Sequence, residues 1–191
     1  MVIKCSVFIA ASVDGFIARP DGGIEWLHRP EYETTPLNGV TYESFIATID
    51  ALVMGRKTLE KVLSFSEWPY EGTPVIALSH QALQLPAHVQ GKVEVMAADV
   101  TTLVQQLANR GMKHLYIDGG QTIQAFLEAG LIDELIIPVF RCCWVKGFPC
   151  SASLAVSANC AMSARMCRRM GLFRVGIRWL NFLGQAGGPD G

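Results

Sequence analysis

"HLYIDGGQTIQAFLEAG", His114 to Gly130, is an apolar run that meets a glycine pair and then continues with apolar residues at helical spacing. Ile123, Phe126 and Leu127 fall on one helical face, and Gly130 supplies a stop. This is a strand turning into a helix through Gly119 and Gly120. "ALVMGRKTLEKV", Ala51 to Val62, repeats the plan, with the turn at Gly55 and with Leu59 and Val62 on the helical face.

Further short runs rich in Val, Ile and Leu recur at "VIKCSVFIA", "TPVIALS", "KVEVMA" and "DELIIPV". Helical spacing also links Tyr42, Phe45, Ile46 and Ile49, and then Leu103, Val104 and Leu107, with Leu63 joining the Leu59 face. Strands alternating with helices in this way imply a mostly parallel sheet covered on both faces. The expected fold is a three-layer α/β/α domain over residues 1–139. Between Arg19 and Thr41 the chain is loop-like, with Pro20, Gly22, Gly23, Pro30, Pro36 and Gly39, and a loop of that length is usually functional or mobile.

Both glycine turns fall where crossover sheets bind ligands, at the carboxyl ends of strands. Arg56, Lys57 and Thr58 open the helix after Gly55, and amides at a helix start favour an anion. The bare backbone at Gly119 and Gly120 lets a phosphate approach closely. Alone, the first motif is equally a solvated helix start and the second an ordinary turn. Together they favour a phosphate-bearing cofactor. The chain has no full Gly-x-Gly-x-x-Gly fingerprint and no Walker loop.

The 191 residues are half hydrophobic with a net charge of −1, which disfavours a polyanion-binding protein. No run approaches the roughly 18 to 20 apolar residues of a membrane span. "MVIKCSVFIAASVDGF" lacks the pattern of a signal peptide, so a cytoplasmic location is expected, with a small-molecule partner and neither nucleic acid nor membrane. The average conceals an asymmetry: residues 1–139 carry 16 acids and 9 bases, whereas residues 140–191 carry 1 acid and 7 bases.

In order and spacing, "FIAASVDGFIARPDGGIEWL", "IDALVMGRKTLE", "VIALSH" and "YIDGGQTIQAFLEAGLIDEL" resemble the dihydrofolate reductase-like superfamily. The nearest likeness is to the reductase domain of bacterial riboflavin biosynthesis, the RibD C-terminal type, over about residues 2–137. The resemblance implies NADPH-dependent hydride transfer and, often, a homodimer. It places Arg56 and Lys57 at the 2′-phosphate of NADPH, with Thr58 by the pyrophosphate, Gly55 among the cofactor-binding residues and Ser79 and His80 flanking the adenosine. Gly119, Gly120, Gln121 and Thr122 match the second phosphate loop, and Ala10, Ile17 and Ala18 match the wall against the nicotinamide. Reduction of a ribosylaminopyrimidine is the nearest named activity. Dihydrofolate reduction, or a vestigial protein that binds NADPH without turnover, is the alternative.

Candidate acids for the proton are Asp14, Glu25 and Glu31. Asp14 matches a recurrent family Asp, and a turn residue before Gly15 reads equally well. Glu31 lies near the substrate carboxylate of folate reductases, although Pro30 and "ETTP" interrupt the helix that would present it. Trp26 is a candidate to shield substrate, or else loop packing. No metal is expected, because His28, His88 and His114 lack ligand spacing.

The last segment, residues 140–191, is basic and holds Cys142, Cys143, Cys150, Cys160 and Cys167, with no Cys-x-x-Cys pair and no histidine. Zinc is therefore disfavoured. The family continues after "DELII" roughly as Pro-Leu-Leu-Gly-x-Gly-x-Pro-Leu-Phe, whereas this chain has "PVFRCCWVKGFPCS". Degenerate codons for Phe140 to Ser151, read two bases later, can encode Pro-Leu-Leu-Leu-Gly-Glu-Gly-Ile-Pro-Leu-Phe. The expectation is a frameshift near Ile137 or Pro138, with the C-terminal strands missing or altered.

Overall fold

The computed structural model describes residues 3–12, 14–28, 41–140, 148–149, 161–169 and 172–180. The apolar runs become β1 (Lys4–Phe8), β4 (Ala51–Gly55), β5 (Val75–Leu78), β6 (Val93–Met96), β7 (His114–Asp118) and β8 (Glu134–Phe140). These six strands pair in parallel in the order β8-β1-β7-β4-β5-β6. The short β2 (Ala11–Ser12) joins the end of β8, and β3 (Phe16–Ala18) pairs with β9 (Phe148–Pro149).

Between the strands lie α1 (Tyr42–Ile46), α2 (Arg56–Leu63), α3 (Val100–Asn109) and α4 (Gly120–Glu128). Strand alternation sorts the core into two faces. Val7, Val53, Ile76, Leu115 and Ile117 pack with Leu103 and Leu107 of α3 and Ile123 and Phe126 of α4. Leu52, Met54, Val75, Ala77, Tyr116 and Ile136 pack with Phe45 of α1 and Leu59 and Val62 of α2. This is the expected three-layer domain. The stop at Gly130 is also present, with the Leu131 N–H returning to the Phe126 carbonyl at 2.9 Å. Helix α1 is shorter than its apolar pattern to Ile49: after Ile46 the chain tightens into i→i−3 turns, with the Thr48 N–H on the Phe45 carbonyl at 3.0 Å and the Ile49 N–H on the Ile46 carbonyl at 3.1 Å.

The expectation that the C-terminal strands are missing or altered is answered at the backbone level. β10 (Ala161–Arg169) pairs antiparallel with β8, from Ser163 opposite Pro138 to Cys167 opposite Glu134, and β11 (Leu172–Leu180) pairs with β10. A hairpin therefore extends the sheet, built from the basic sequence. Cys142, Cys143, Cys150 and Cys160 lie outside the described residues. Cys5, by contrast, is buried in β1, and burial pushes its thiol up to about 12, which makes it inert packing.

The amino edge of the sheet is fastened by side chains. The Asp50 carboxylate accepts the Lys113 and His114 N–H groups at 2.6 and 2.8 Å. The His114 ring lies 2.8 Å from the Ser6 hydroxyl through Nε2 and 3.1 Å from the Thr48 carbonyl through Nδ1. The carbonyl can only accept, so Nδ1 carries the proton and Nε2 accepts from Ser6. Burial, then the Lys4 charge, lowers the His114 pKa. The unfolded chain thus binds this proton more readily than the folded one, and stability falls as pH drops through about 6.5, the ordinary histidine value. The urea midpoint should decline from pH 7.5 to 5.5, and His114→Gln should flatten that decline. An unchanged slope in the variant would refute the assignment.

Candidate functional site

At the opposite edge, β4 and β7 lie side by side with Met54 opposite Asp118, so Gly55 and Gly119 emerge next to each other. Gly55 is the N-cap of α2 and Gly119 the N-cap of α4, and neither helix has a side-chain cap. The other two helices are closed, α1 by a Thr41–Ser44 capping box and α3 by the Asp99 carboxylate. Among the described residues, α2 and α4 are the α-helices that present uncapped first turns to this edge, an arrangement suited to an anion.

The two starts interlock. A Cβ on Gly119 would run into the Thr58 hydroxyl, and one on Gly55 would come within 3.0 Å of Thr122 Oγ1. Thr58 and Thr122 are each the third residue of their helix, so each threonine fills the space above the other helix's glycine cap. Gly119 also has φ of +88°, a conformation that side-chain-bearing residues rarely adopt. Tight backbone approach, two aligned helix starts and paired hydroxyls together fit the diphosphate of a dinucleotide.

The remaining expected residues are distributed around this cradle. Arg56 is part-buried and bonded to Glu60 at 2.7 Å, while Lys57 is exposed. Ser79 and His80 follow the end of β5, where the Ser79 hydroxyl donates to the Gln81 carbonyl at 2.8 Å and His80 is exposed. Gln121 is exposed and Gly120 part-buried in the first turn of α4. Ala10 joins β1 to β2, Ile17 packs on the α3–α4 face of the core, and Ala18 is buried.

Asp14 sits in the turn between β2 and β3, where its carboxylate accepts the Ser12 hydroxyl at 2.5 Å. Ser12 Oγ in turn accepts the Phe16 N–H, so Asp14 is tied into local turn geometry. Glu25 is exposed, with the Lys61 ammonium 3.9 Å away. Trp26 is fully buried, which is packing rather than an accessible shield. Glu31 lies outside the described residues.

Sequence reading passed over Asp118. It ends β7 on the same face as Tyr116, and its Oδ1 accepts the Gly119 N–H at 2.8 Å. The residue keeps some solvent exposure, yet burial of its carboxyl is the main cause of a pKa raised to about 6. An acid directly before a glycine pair, at the end of an apolar strand, was the available signal. Tyr116, two residues before it on the same strand, belongs to a ring cluster with Phe8, Tyr42 and Phe45, in which the Tyr42 ring lies 5.6 Å from Phe8 and 6.4 Å from Tyr116. Among the described residues, no group of three or more His, Cys, Asp and Glu is placed to hold a metal, and no helix is long and apolar enough to cross a membrane.

The fold defines a dihydrofolate reductase-like α/β domain, with two uncapped helix starts side by side at its carboxyl edge. Within that class the chain belongs to the RibD C-terminal domain family, which matches residues 4–140. It is 33% identical to the uncharacterized protein YwjB of Bacillus subtilis (strain 168) over 150 residues, covering 76% of this chain and 81% of that protein. A putative riboflavin biosynthesis protein from Shewanella sp. PV-4 has a crystal structure that aligns with TM-score 0.70 and 33% identity, over 94% of this chain and 100% of that one. A diaminohydroxyphosphoribosylaminopyrimidine deaminase/5-amino-6-(5-phosphoribosylamino)uracil reductase from Thermotoga maritima aligns with TM-score 0.60 over 93% of this chain and 57% of its own length. At 14% identity, that likeness concerns the fold alone.

Proposed function

We propose that this protein is an NADPH-dependent reductase of a small heterocycle. The observation that carries the reading is the interlocked pair of uncapped helix starts at Gly55 and Gly119. When bound, NADPH supplies a hydride to an electrophilic substrate carbon, and one proton from an acid or water completes reduction of the C=N or C=O bond. The chain's own residues bind, orient and manage that proton. The first turns of α2 and α4 hold the diphosphate, and Arg56 with Lys57 neutralises the 2′-phosphate. Asp118, with its pKa near 6, is positioned to hold or exchange a proton at neutral pH.

Quenching of protein fluorescence by NADPH tests the reading: soluble, folded protein that shows no saturable binding would rule it out. Arg56→Ala should weaken NADPH by about tenfold, the worth of one charge-assisted contact, and leave NADH nearly unchanged. Equal losses for both would remove Arg56 from the 2′-phosphate role.

A second reading concerns the gene. The family match stops at residue 140, the position at which net charge reverses and the two-base-shifted codons can regain the family's continuation. These coincidences support a frameshift that left a foreign sequence in the place of the native C-terminal strands.

A further inference from the structure

Register and strand alternation sort the residues of the β10–β11 hairpin onto two faces. Arg165 stands opposite Ile136 of the α1–α2 core, whereas Met166 stands opposite Leu135 of the α3–α4 core. Counted by twos along β10 and across to its partners in β11, the α1–α2 face takes Arg165, Arg169, Arg174 and Arg178. The opposite face takes Met162, Met166, Phe173, Val175, Ile177 and Trp179, with Arg168 as its one charged strand residue. Charge and apolar residues thus part company across the hairpin.

The four arginines also stand in single file. Each lies across from an uncharged residue: Arg165 from Gly176, Arg169 from Leu172, Arg174 from Cys167 and Arg178 from Ser163. Arg169, Arg174, Arg165 and Arg178 therefore succeed one another as diagonal neighbours, about 7–8 Å apart at each step. The file zigzags between the two strands and advances two residues at a time, so it runs about 20 Å along the hairpin. Among the described residues paired with it, the acid on this face is Glu134, opposite Cys167, and that carboxylate already takes Lys4 at 2.7 Å, so cations are in excess. The single acid of residues 140–191, Asp190, follows the last strand.

We propose that this face of the hairpin is a track for the sugar–phosphate backbone of a single nucleic-acid strand, a regular file of anions met by a regular file of arginines. Averaged over the chain, the net charge of −1 disfavours such a partner, but 7 bases against 1 acid are gathered in residues 140–191. An anionic bilayer fits less well, because it needs arginines and aromatic residues on one side, and Phe173 and Trp179 belong to the other face. Within the two strands no aromatic residue shares the arginine face, so bases gain no stacking platform and binding is indifferent to sequence. β8 and β1 lie between the hairpin and β7, so the track is separate from the paired glycine turns and does not rest on the reductase reading.

Fluorescence anisotropy of a labelled oligothymidylate, titrated with the full chain, tests the track. Four neutralised phosphates give a slope of about −2.8 for log affinity against log salt, or binding about fiftyfold weaker at 200 mM than at 50 mM salt. An oligodeoxyadenylate of the same length should bind within about threefold of it. Replacing Arg165 and Arg174 together by Gln should halve the slope, whereas Arg168→Gln, on the other face, should leave it unchanged. Replacing the same pair by Lys keeps both charges and should keep the slope, which separates lost charge from a disturbed strand. Salt-independent binding, or an equal loss of slope in Arg168→Gln and in the Gln pair, would overturn the proposal. So would a chain that ignores the oligothymidylate and instead binds vesicles containing phosphatidylserine, or associates with its own copies at low salt.

Discussion

Gly119→Ala should lower NADPH affinity by about a hundredfold or more while the variant still folds. Two costs combine at this one methyl group. The backbone at φ +88° and ψ 131° is a region essentially reserved for glycine, worth about 1–3 kcal/mol when another residue is forced into it. The new Cβ also collides with the Thr58 hydroxyl, so α4 must retreat from α2 and the cradle opens. Gly55→Ala is the informative partner. Its φ of −81° is unstrained, and its Cβ would meet only Thr122 Oγ1 at 3.0 Å, so a loss of about tenfold or less is expected. Fluorescence titration with NADPH ranks the two, and urea unfolding reports whether Gly119→Ala remains folded. Wild-type affinity in folded Gly119→Ala protein would place the cofactor elsewhere.

Restoring the reading frame near codon 137 should produce the other large change. The sheet edge at β8 has to be covered by a hairpin, and an exposed edge invites association between chains. In the present chain that hairpin is Ala161–Leu180, which places Arg165, Arg168, Arg169, Arg174 and Arg178 in its strands. A restored segment reading Pro-Leu-Leu-Leu-Gly-Glu-Gly-Ile-Pro-Leu-Phe should give a monodisperse protein whose urea midpoint reflects several kcal/mol of added stability, the scale of a repacked edge. Sequencing genomic DNA across codons 130–160 comes first. A genomic sequence that keeps the present frame, together with equal urea midpoints for the two chains, would refute the frameshift.

Among the described residues, the six parallel strands, the four α-helices and the glycine turns were all legible in the sequence, because each is a local pattern of apolar spacing with a stop. Their spatial order was not. Nothing local says that β7 lies beside β4, and the contacts of Thr58 with Gly119 and of Thr122 with Gly55 exist only because it does. Asp118 was hidden for a related reason: along the chain it ends an apolar run, and only the fold buries its carboxyl and raises its pKa to about 6. Trp26 and Asp14 show the converse. Family matching picked them out as site candidates, and the structure spends one on core burial and the other on a turn.

The two uncapped helices have a consequence for the empty protein. α1 and α3 carry their own caps, so their first turns are complete without help. α2 and α4 start on glycine, and their leading amides must be satisfied by water until an anion arrives. Under the proposed function the cofactor would act as a shared cap for both helices, and loading it would become the last step of folding. At a hundred times its dissociation constant such a ligand adds about 2.7 kcal/mol to the native state. On that reading the lifetime of this protein in a cell would follow the supply of the proposed cofactor.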